Sequence, residues 1–203
     1  EAYLDHQEKA IIISGQAIDS TKHKVVQVQG KVIPATRWWG LDITCDSVDI
    51  GLIDFWTNGF FSNPQGRAYG NLKVFGQEQQ VWVLADVLGK NTQLTVPQLG
   101  STFYFSDTIH MDSTSIRIPK LDVYDAVGNK GTFEGIITHD KFTNFKYDLN
   151  AHVDKMLVLN LPPDPQALFY GKVYGTGDLN IHGDDYNCKI AVNAKTEDKS
   201  KFY

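Results

Sequence analysis

Two stretches of the chain, about a hundred residues apart, share an alternating pattern that constrains the fold more than any other feature. Residues 171–194 read GKVYGTGDLNIHGDDYNCKIAVNA, and residues 70–87 read GNLKVFGQEQQVWVLADV. Each stretch contains two alternating segments joined by a polar turn. Because successive side chains of a β-strand point to opposite faces, apolar residues at every second position give a sheet one apolar face. We therefore predict an all-β chain built from amphipathic hairpins.

The similarity between these stretches continues on their N-terminal side. Residues 63–70 and 164–171 share Pro, Gln, Tyr and Gly at the same spacing, and the second copy then carries six extra residues. Six is an even number, so both copies keep the same face apolar. We predict one β-rich fragment of a larger protein, residues 1–203. It would contain related units at about 24–98 and about 131–203, joined by a hairpin region at 99–130.

Two local features interrupt the strand pattern. The apolar positions are odd at Ile43 and Cys45 but even at Val48 and Ile50, which predicts a β-bulge near residues 46–47. Residues 164–168 and 63–65 combine an Asx residue with a following proline, which predicts a short helical turn at each place. Helix is otherwise nearly absent from the prediction.

The charge and hydropathy of the chain exclude several classes of function. The net charge is -5, and lysine and arginine are not interleaved with aromatic residues, so nucleic-acid binding is not expected. The longest apolar runs are too short to span a bilayer. The sequence begins with Glu1 and has no signal-like segment. We therefore expect any membrane anchor to lie outside these residues.

A search for reactive residues gives a negative prediction. The six histidines have no zinc-ligand spacing, and we interpret them as solvated side chains. Cys45 and Cys188 occupy inward strand positions, which favours buried thiols over a disulfide. Gly175 and Gly177 resemble the start of a dinucleotide-binding motif, but the third glycine and the following helix are missing. We expect no catalytic residue, no metal, no cofactor and no enzymatic activity.

The C-terminal half carries a resemblance to a known family. Residues 113–149 read STSIRIPKLDVYDAVGNKGTFEGIITHDKFTNFKYDL, and residues 168–183 read LFYGKVYGTGDLNIHG. Together, in this order and spacing, these motifs resemble the C-terminal domain of TamB, the AsmA-like inner-membrane component of the translocation and assembly module, in its Bacteroides-like form. The resemblance is clearest from about residue 99 to the end. The first hundred residues fit as an earlier repeat.

This resemblance implies a fold, a location and partners. The expected fold is an elongated, curled antiparallel or mixed sheet that forms a U-shaped trough, or β-taco, with an apolar concave face. The expected location is the periplasm, with a tether to the inner membrane in a segment absent from this sequence. The implied function is outer-membrane biogenesis. The implied partners are phospholipid acyl chains and an outer-membrane barrel-assembly protein of the BamA/TamA type, while membranes would be contacted through parts outside this fragment.

The alternating pattern supplies a mechanism compatible with this resemblance. We hypothesise that its apolar positions line a groove along which acyl chains slide without a single tight site. The predicted lining consists of the inward residues of the alternating strands in both units: Leu41, Ile43, Leu72, Val74, Val81, Val83, Tyr147, Leu149, Ala151, Val153, Leu179, Ile181, Ile190 and Val192.

Two alternatives remain at this stage. In the first, an open sheet edge or the apolar trough accepts an extended strand of an outer-membrane β-barrel protein, so that the chain acts as a chaperone. In the second, the chain is a closed β-sandwich that binds carbohydrate through Trp38, Trp39 and Trp56.

Overall fold

The computed structural model describes residues 1–55, 61–164, 166 and 168–203; for residues 53–55 it describes the backbone. The described chain is almost entirely strand, with two short 3-10 segments. The elements are β1 (Ala2–Asp5), β2 (Ala10–Ile18), β3 (Lys24–Ile33), η1 (Pro34–Thr36), β4 (Trp38–Asp49), η2 (Ile50–Phe55), β5 (Ser62–Gln77), β6 (Gln80–Val96), β7 (Ser101–Met111), β8 (Ser115–Asp125), β9 (Lys130–Asp140), β10 (Thr143–Leu161), β11 (Gly171–Asp184), β12 (Cys188–Thr196) and β13 (Lys201–Phe202).

All thirteen strands belong to one sheet, in which β1 to β12 lie side by side in the order of the chain. The order runs from β1 to β12, and the short β13 joins the edge by pairing with the start of β11. Every pair between described strands is antiparallel, which confirms the all-β prediction and excludes a mixed sheet over this part of the chain. Among the described residues β1 and β12 form the two edges and do not pair, so the sheet is open and compatible with a curled trough.

The accessible surface agrees with an open sheet. A compact monomer of 22.8 kDa is expected to expose about 9,600 Å². This chain exposes 13453 Å², and among the residues that the structure describes only a few apolar side chains are buried: Ala10, Ile50, Leu121, Met156, Leu157 and Leu159. Most apolar side chains are therefore only half-buried on the sheet.

The predicted irregularities are placed as follows. The register between β4 and β5 shifts between Asp46 and Val48, and Ser47 has φ 68°, which confirms the bulge. The helical turn predicted at residues 63–65 is wrong, because these residues lie in β5. There, Asn63 has a positive φ and Pro64 is buried beside two register shifts, so the proline is accommodated by a bulge. The turn predicted at 164–168 lies partly outside the described residues.

The core is concentrated where β10 extends beyond its neighbour β9. Pairing with β9 stops at Val153, whereas β10 continues to Leu161 beside β11. Residues 154–161, which we call the β10 extension, pack across the ends of β7 and β8. The backbone N–H of Leu157 donates to the Asp125 carboxylate at 2.7 Å, and that of Asn160 donates to the Leu99 carbonyl at 2.8 Å. The sheet therefore curls back on itself at this end of the strands.

Candidate functional site

One row of small and apolar residues crosses eleven strands of the sheet. In an antiparallel sheet, residues directly opposite each other point to the same face. The backbone pairings connect β2 to β12 through such partners without a gap, and no member of the row carries a charge. We call this the central apolar row: Gly15, Val28, Ile43, Leu72, Ala85, Met111, Ile116, Ile137, Tyr147, Gly183 and Cys188.

The adjacent row on the opposite face has the reverse character. Its members are polar or charged at every strand except β9, where Ile136 stands. This polar row is Gln16, Gln27, Thr44, Asn71, Asp86, His110, Arg117, Ile136, Asp148, His182 and Lys189. Along these two rows the sheet therefore has one apolar and one polar side.

The register places all fourteen residues of the predicted lining on the face of the central apolar row. Ile43, Leu72 and Tyr147 belong to the row itself. The others lie in neighbouring rows on that face: Leu41 with Val74 and Val83, Val81 opposite Gly76, Leu149 with Ile181 and Ile190, Ala151 with Leu179 and Val192, and Val153 opposite Gly177. Their role in lipid binding stays a prediction.

Sequence reasoning missed the middle of this row. Met111 and Ile116 face each other across the β7–β8 hairpin, within the region that we interpreted as a connection. They link Ala85 of the first predicted unit to Ile137 of the second. The alternation of Ile109 with Met111, and of Ile116 with Ile118, was the signal that could have identified them.

The residues on this face are more exposed towards the β12 edge. Most of the predicted lining is half-buried, whereas Ile190 and Val192 are 65% and 66% exposed. The prediction of a buried Cys188 is wrong, because this thiol lies on the exposed edge strand; Cys45 is half-buried, and both are free. Burial raises the pKa of the Cys45 thiol.

Tyr147 is the polar exception in the central apolar row. Its hydroxyl donates to the carboxylate of Asp185 at 2.7 Å, and the other oxygen of that carboxylate accepts from the N–H of Phe145 at 3.1 Å. Asp185 lies in the turn between β11 and β12. The hydrogen bond to this carboxylate, assisted by burial, raises the pKa of Tyr147 to about 12. These contacts tie the last hairpin to β10 at one end of the row.

Three histidines lie on the polar side of the sheet: His110, His152 and His182. His110 and His152 each pair with an aspartate on a neighbouring strand, at 2.5 and 2.7 Å, and His23, in the turn before β3, pairs with Asp46 at 2.9 Å. The interpretation of His139 as a solvated residue is wrong, because its ring is buried and stacks on Phe142 with centroids 4.5 Å apart. Within the part of the chain that the structure describes, no cluster of His, Cys, Asp or Glu could hold a metal ion.

The structure does not bring Trp38 and Trp39 together on one face, as the carbohydrate-binding alternative requires. Trp38 and Trp39 are consecutive in β4, so their side chains point to opposite faces. Trp56 lies outside the described residues. That alternative also required two packed sheets, whereas the described strands form one.

The sequence of the C-terminal strands matches a known family model. Residues 120–203 match the TamB C-terminal domain. This match confirms the predicted resemblance over that part of the chain. No curated protein and no solved structure matches the chain.

The TamB match covers the part of the sheet that contains the β10 extension and the last hairpin. It begins within β8 and runs through β13, so it includes Tyr147, Leu149 and Val192 but not the lining residues of β4 to β6. No helix among the described residues is long and apolar enough to cross a membrane.

Proposed function

We propose that this chain is a non-catalytic periplasmic part of a TamB-family protein and that it carries phospholipid acyl chains between the inner and outer membranes. The observation that supports this proposal is the central apolar row, which crosses eleven strands without a charged residue. Most of the predicted lining on this face is half-buried, and Ile190 and Val192 are exposed. A ligand with an apolar chain and a polar head fits such a surface.

The dimensions of the row suit an acyl tail. Ten steps between neighbouring strands, at about 4.8 Å each, give a path of about 48 Å. A single acyl tail spans about half of a hydrocarbon core that is about 30 Å thick. Burial is worth about 0.8 kcal/mol per methylene, so a half-shielded tail of roughly 16 carbons gains several kcal/mol. Because this gain is spread along the row, the tail can slide.

Site-specific photo-crosslinking in cells tests this proposal. A crosslinking residue at Leu149 or Val192, on the apolar face, is expected to give phospholipid adducts. The neighbouring positions Asn150 and Asn193 point to the opposite face and are the matched controls. Adducts at the asparagine positions together with none at Leu149 and Val192 would refute the assignment of the lipid-binding face.

A second candidate function, the acceptance of a strand from an outer-membrane barrel protein, is favoured by the β12 edge. All nine residues of β12 are exposed, and one side of its backbone pairs with β11 while the other side has no described neighbour. Unpaired N–H and C=O groups on an edge strand can hydrogen-bond an incoming strand. This function would use the edge, whereas lipid transport would use the face.

Amide hydrogen exchange distinguishes the two candidates. A barrel-derived peptide that adds to the edge is expected to slow exchange along β12, because its outward N–H groups would gain acceptors. A lipid on the face would leave those backbone groups open to water. Unchanged exchange in β12 at a saturating concentration of the peptide would refute strand acceptance at this edge.

A further inference from the structure

Four aromatic residues meet at the corner of the sheet where β13 pairs with β11. The rings of Phe169 and Phe202 stack with centroids 5.9 Å apart, and those of Tyr170 and Tyr203 stack at 5.2 Å. Two backbone hydrogen bonds of 3.0 and 3.1 Å join Tyr170 to Tyr203, so the corner is held by the sheet itself. We call these four residues the aromatic corner.

The aromatic corner is exposed although it is largely apolar. Phe202 and Tyr203 are each 64% exposed, Phe169 is 40% exposed, and the preceding Leu168 is almost fully exposed. A contiguous group of exposed apolar side chains is unusual on a soluble surface and indicates a contact with another apolar phase.

The two stacked pairs lie on different sides of the sheet. Phe202 is directly opposite Gly171, so it points to the face of the central apolar row. Tyr170 and Tyr203 occupy the alternate positions, together with Lys172 and Lys201, which face each other across the pair. The corner is thus divided into a purely apolar side and a side with hydroxyl and ammonium groups.

The charge around the tyrosine side is basic. The ammonium group of Lys172 lies 5.6 Å from the centroid of the Tyr174 ring. Neither Lys172 nor Lys201 forms an ion pair with any residue that the structure describes. The nearby carboxylate of Glu197 already has a partner in Lys195, at 3.3 Å. Two cations without an ion pair among the described residues therefore lie beside the exposed aromatic rings.

We propose that the aromatic corner docks on the surface of an anionic lipid bilayer. The phenylalanine rings and Leu168 enter the acyl boundary. The tyrosine rings, which have an apolar body and a polar tip, lie at the headgroup level with Lys172 and Lys201 beside the lipid phosphates. This contact is distinct from the transport of acyl chains along the central apolar row, which lies several residues away along β11.

A second copy of the chain is a less suitable occupant of the corner. A symmetric contact would bring the lysines of one copy close to those of the other, and like charges in proximity are unfavourable. An anionic bilayer instead supplies opposite charge and an apolar phase together.

Vesicle co-sedimentation with the whole chain tests the proposal. The probes are vesicles of phosphatidylethanolamine with about three parts in ten of phosphatidylglycerol, and vesicles of phosphatidylcholine alone. We expect binding to the anionic vesicles that weakens as salt is raised. Replacing both phenylalanines (Phe169→Ser with Phe202→Ser) is expected to weaken partitioning by on the order of tenfold or more. Each of Lys172→Gln and Lys201→Gln is expected to weaken it about fivefold.

Two control variants keep the test specific. Tyr186→Ser removes another exposed aromatic side chain, in the β11–β12 turn far along the strand from the corner, and is expected to bind vesicles normally. Lys189→Gln removes another exposed lysine, at the end of the β11–β12 hairpin far from the corner, and is also expected to bind vesicles normally. Circular dichroism verifies that each variant is folded.

Two results would overturn the proposal. The first is equal vesicle binding by the chain and by the double phenylalanine variant. The second is an absence of vesicle binding together with self-association of the chain, measured by sedimentation velocity. If the double phenylalanine substitution abolished that self-association, the corner would be a contact with a second copy of the chain.

Discussion

Asp125 is expected to be the side chain whose loss most weakens the curl of the sheet. Its buried carboxylate accepts hydrogen bonds from the backbone N–H groups of Val127 and Asn129, from the Asn129 side chain and from the N–H of Leu157. The hydrogen bond from Leu157 takes the place of a bond to β9, because the pairing of β10 with β9 stops at Val153. Burial alone would raise the pKa of Asp125, but the four hydrogen bonds outweigh it, so the pKa lies below its ordinary value.

The cost of Asp125→Ala follows from these contacts. The N–H of Leu157 is buried, and leaving it without an acceptor costs about 1–3 kcal/mol. The other three donors lie in an exposed turn, where water can replace part of the lost interaction, so they add about 1–2 kcal/mol together. We therefore expect a loss of about 2–5 kcal/mol, which is large beside a typical stability of about 5–15 kcal/mol. Asp125→Asn keeps one acceptor oxygen and is expected to cost about half as much.

Urea unfolding at neutral pH measures these differences. The control is Asp122→Ala on the same strand, because Asp122 makes a half-exposed ion pair with Lys130 at 2.8 Å and is expected to contribute less than about 1 kcal/mol. Hydrogen exchange at the N–H of Leu157 should accelerate in Asp125→Ala before the sheet unfolds. A loss below about 1 kcal/mol for Asp125→Ala, equal to that of the control, would refute the role assigned to this carboxylate.

Three further predictions concern single residues. Tyr147→Phe should remove one late-ionising tyrosine, with a pKa of about 12, from the titration followed by absorbance; all tyrosines ionising together near pH 10 would contradict the Asp185 hydrogen bond. Gly70→Ala should destabilise the chain by about 2 kcal/mol or more, because φ is +145° and the new Cβ meets the carbonyl of Asp86 on the facing strand. Gly15→Ala, whose Cβ would make only an ordinary contact with Val28, should be near neutral; equal effects of the two substitutions in urea unfolding would count against this. The pKa of Asp112 is lowered to about 2, chiefly by a hydrogen bond from the Ser115 side chain, so this carboxylate stabilises the fold above about pH 4 and ceases to do so as the pH falls towards 2. In urea unfolding between these pH values, the free energy of unfolding of Asp112→Ala should therefore fall less steeply with decreasing pH than that of the unsubstituted chain; equal slopes would contradict this.

The alternating pattern was sufficient to predict the strands but not how they join. The alternation predicts separate strands at residues 81–88 and 93–96, and again at 145–153 and 156–161, yet each pair forms one continuous strand. Register shifts between Gly89 and Thr92, and between Val153 and Met156, interrupt the alternation without ending the pairing. A bulge and a turn both break the period of two, so sequence periodicity alone cannot separate them.

The two sides of the sheet could be predicted because, within an uninterrupted stretch of strand, the face to which a side chain points depends only on whether its position is odd or even. Leu149 and Val192 share a face for this reason, and the register agrees. The burial of His139 and the exposure of Cys188 could not be predicted in the same way. They depend on whether another segment covers the position, as Phe142 covers His139, and on which strand forms the edge.

Native mass spectrometry of the chain, purified from cells without detergent, tests the central claim most directly. We predict that the chain retains phospholipid and that the retained mass is lost in Leu149→Arg, because an unpaired charge on the apolar face is costly. Asn150→Arg, on the polar face, should retain the lipid. A chain that carries peptide instead of phospholipid, or one whose lipid is unaffected by Leu149→Arg, would contradict the account.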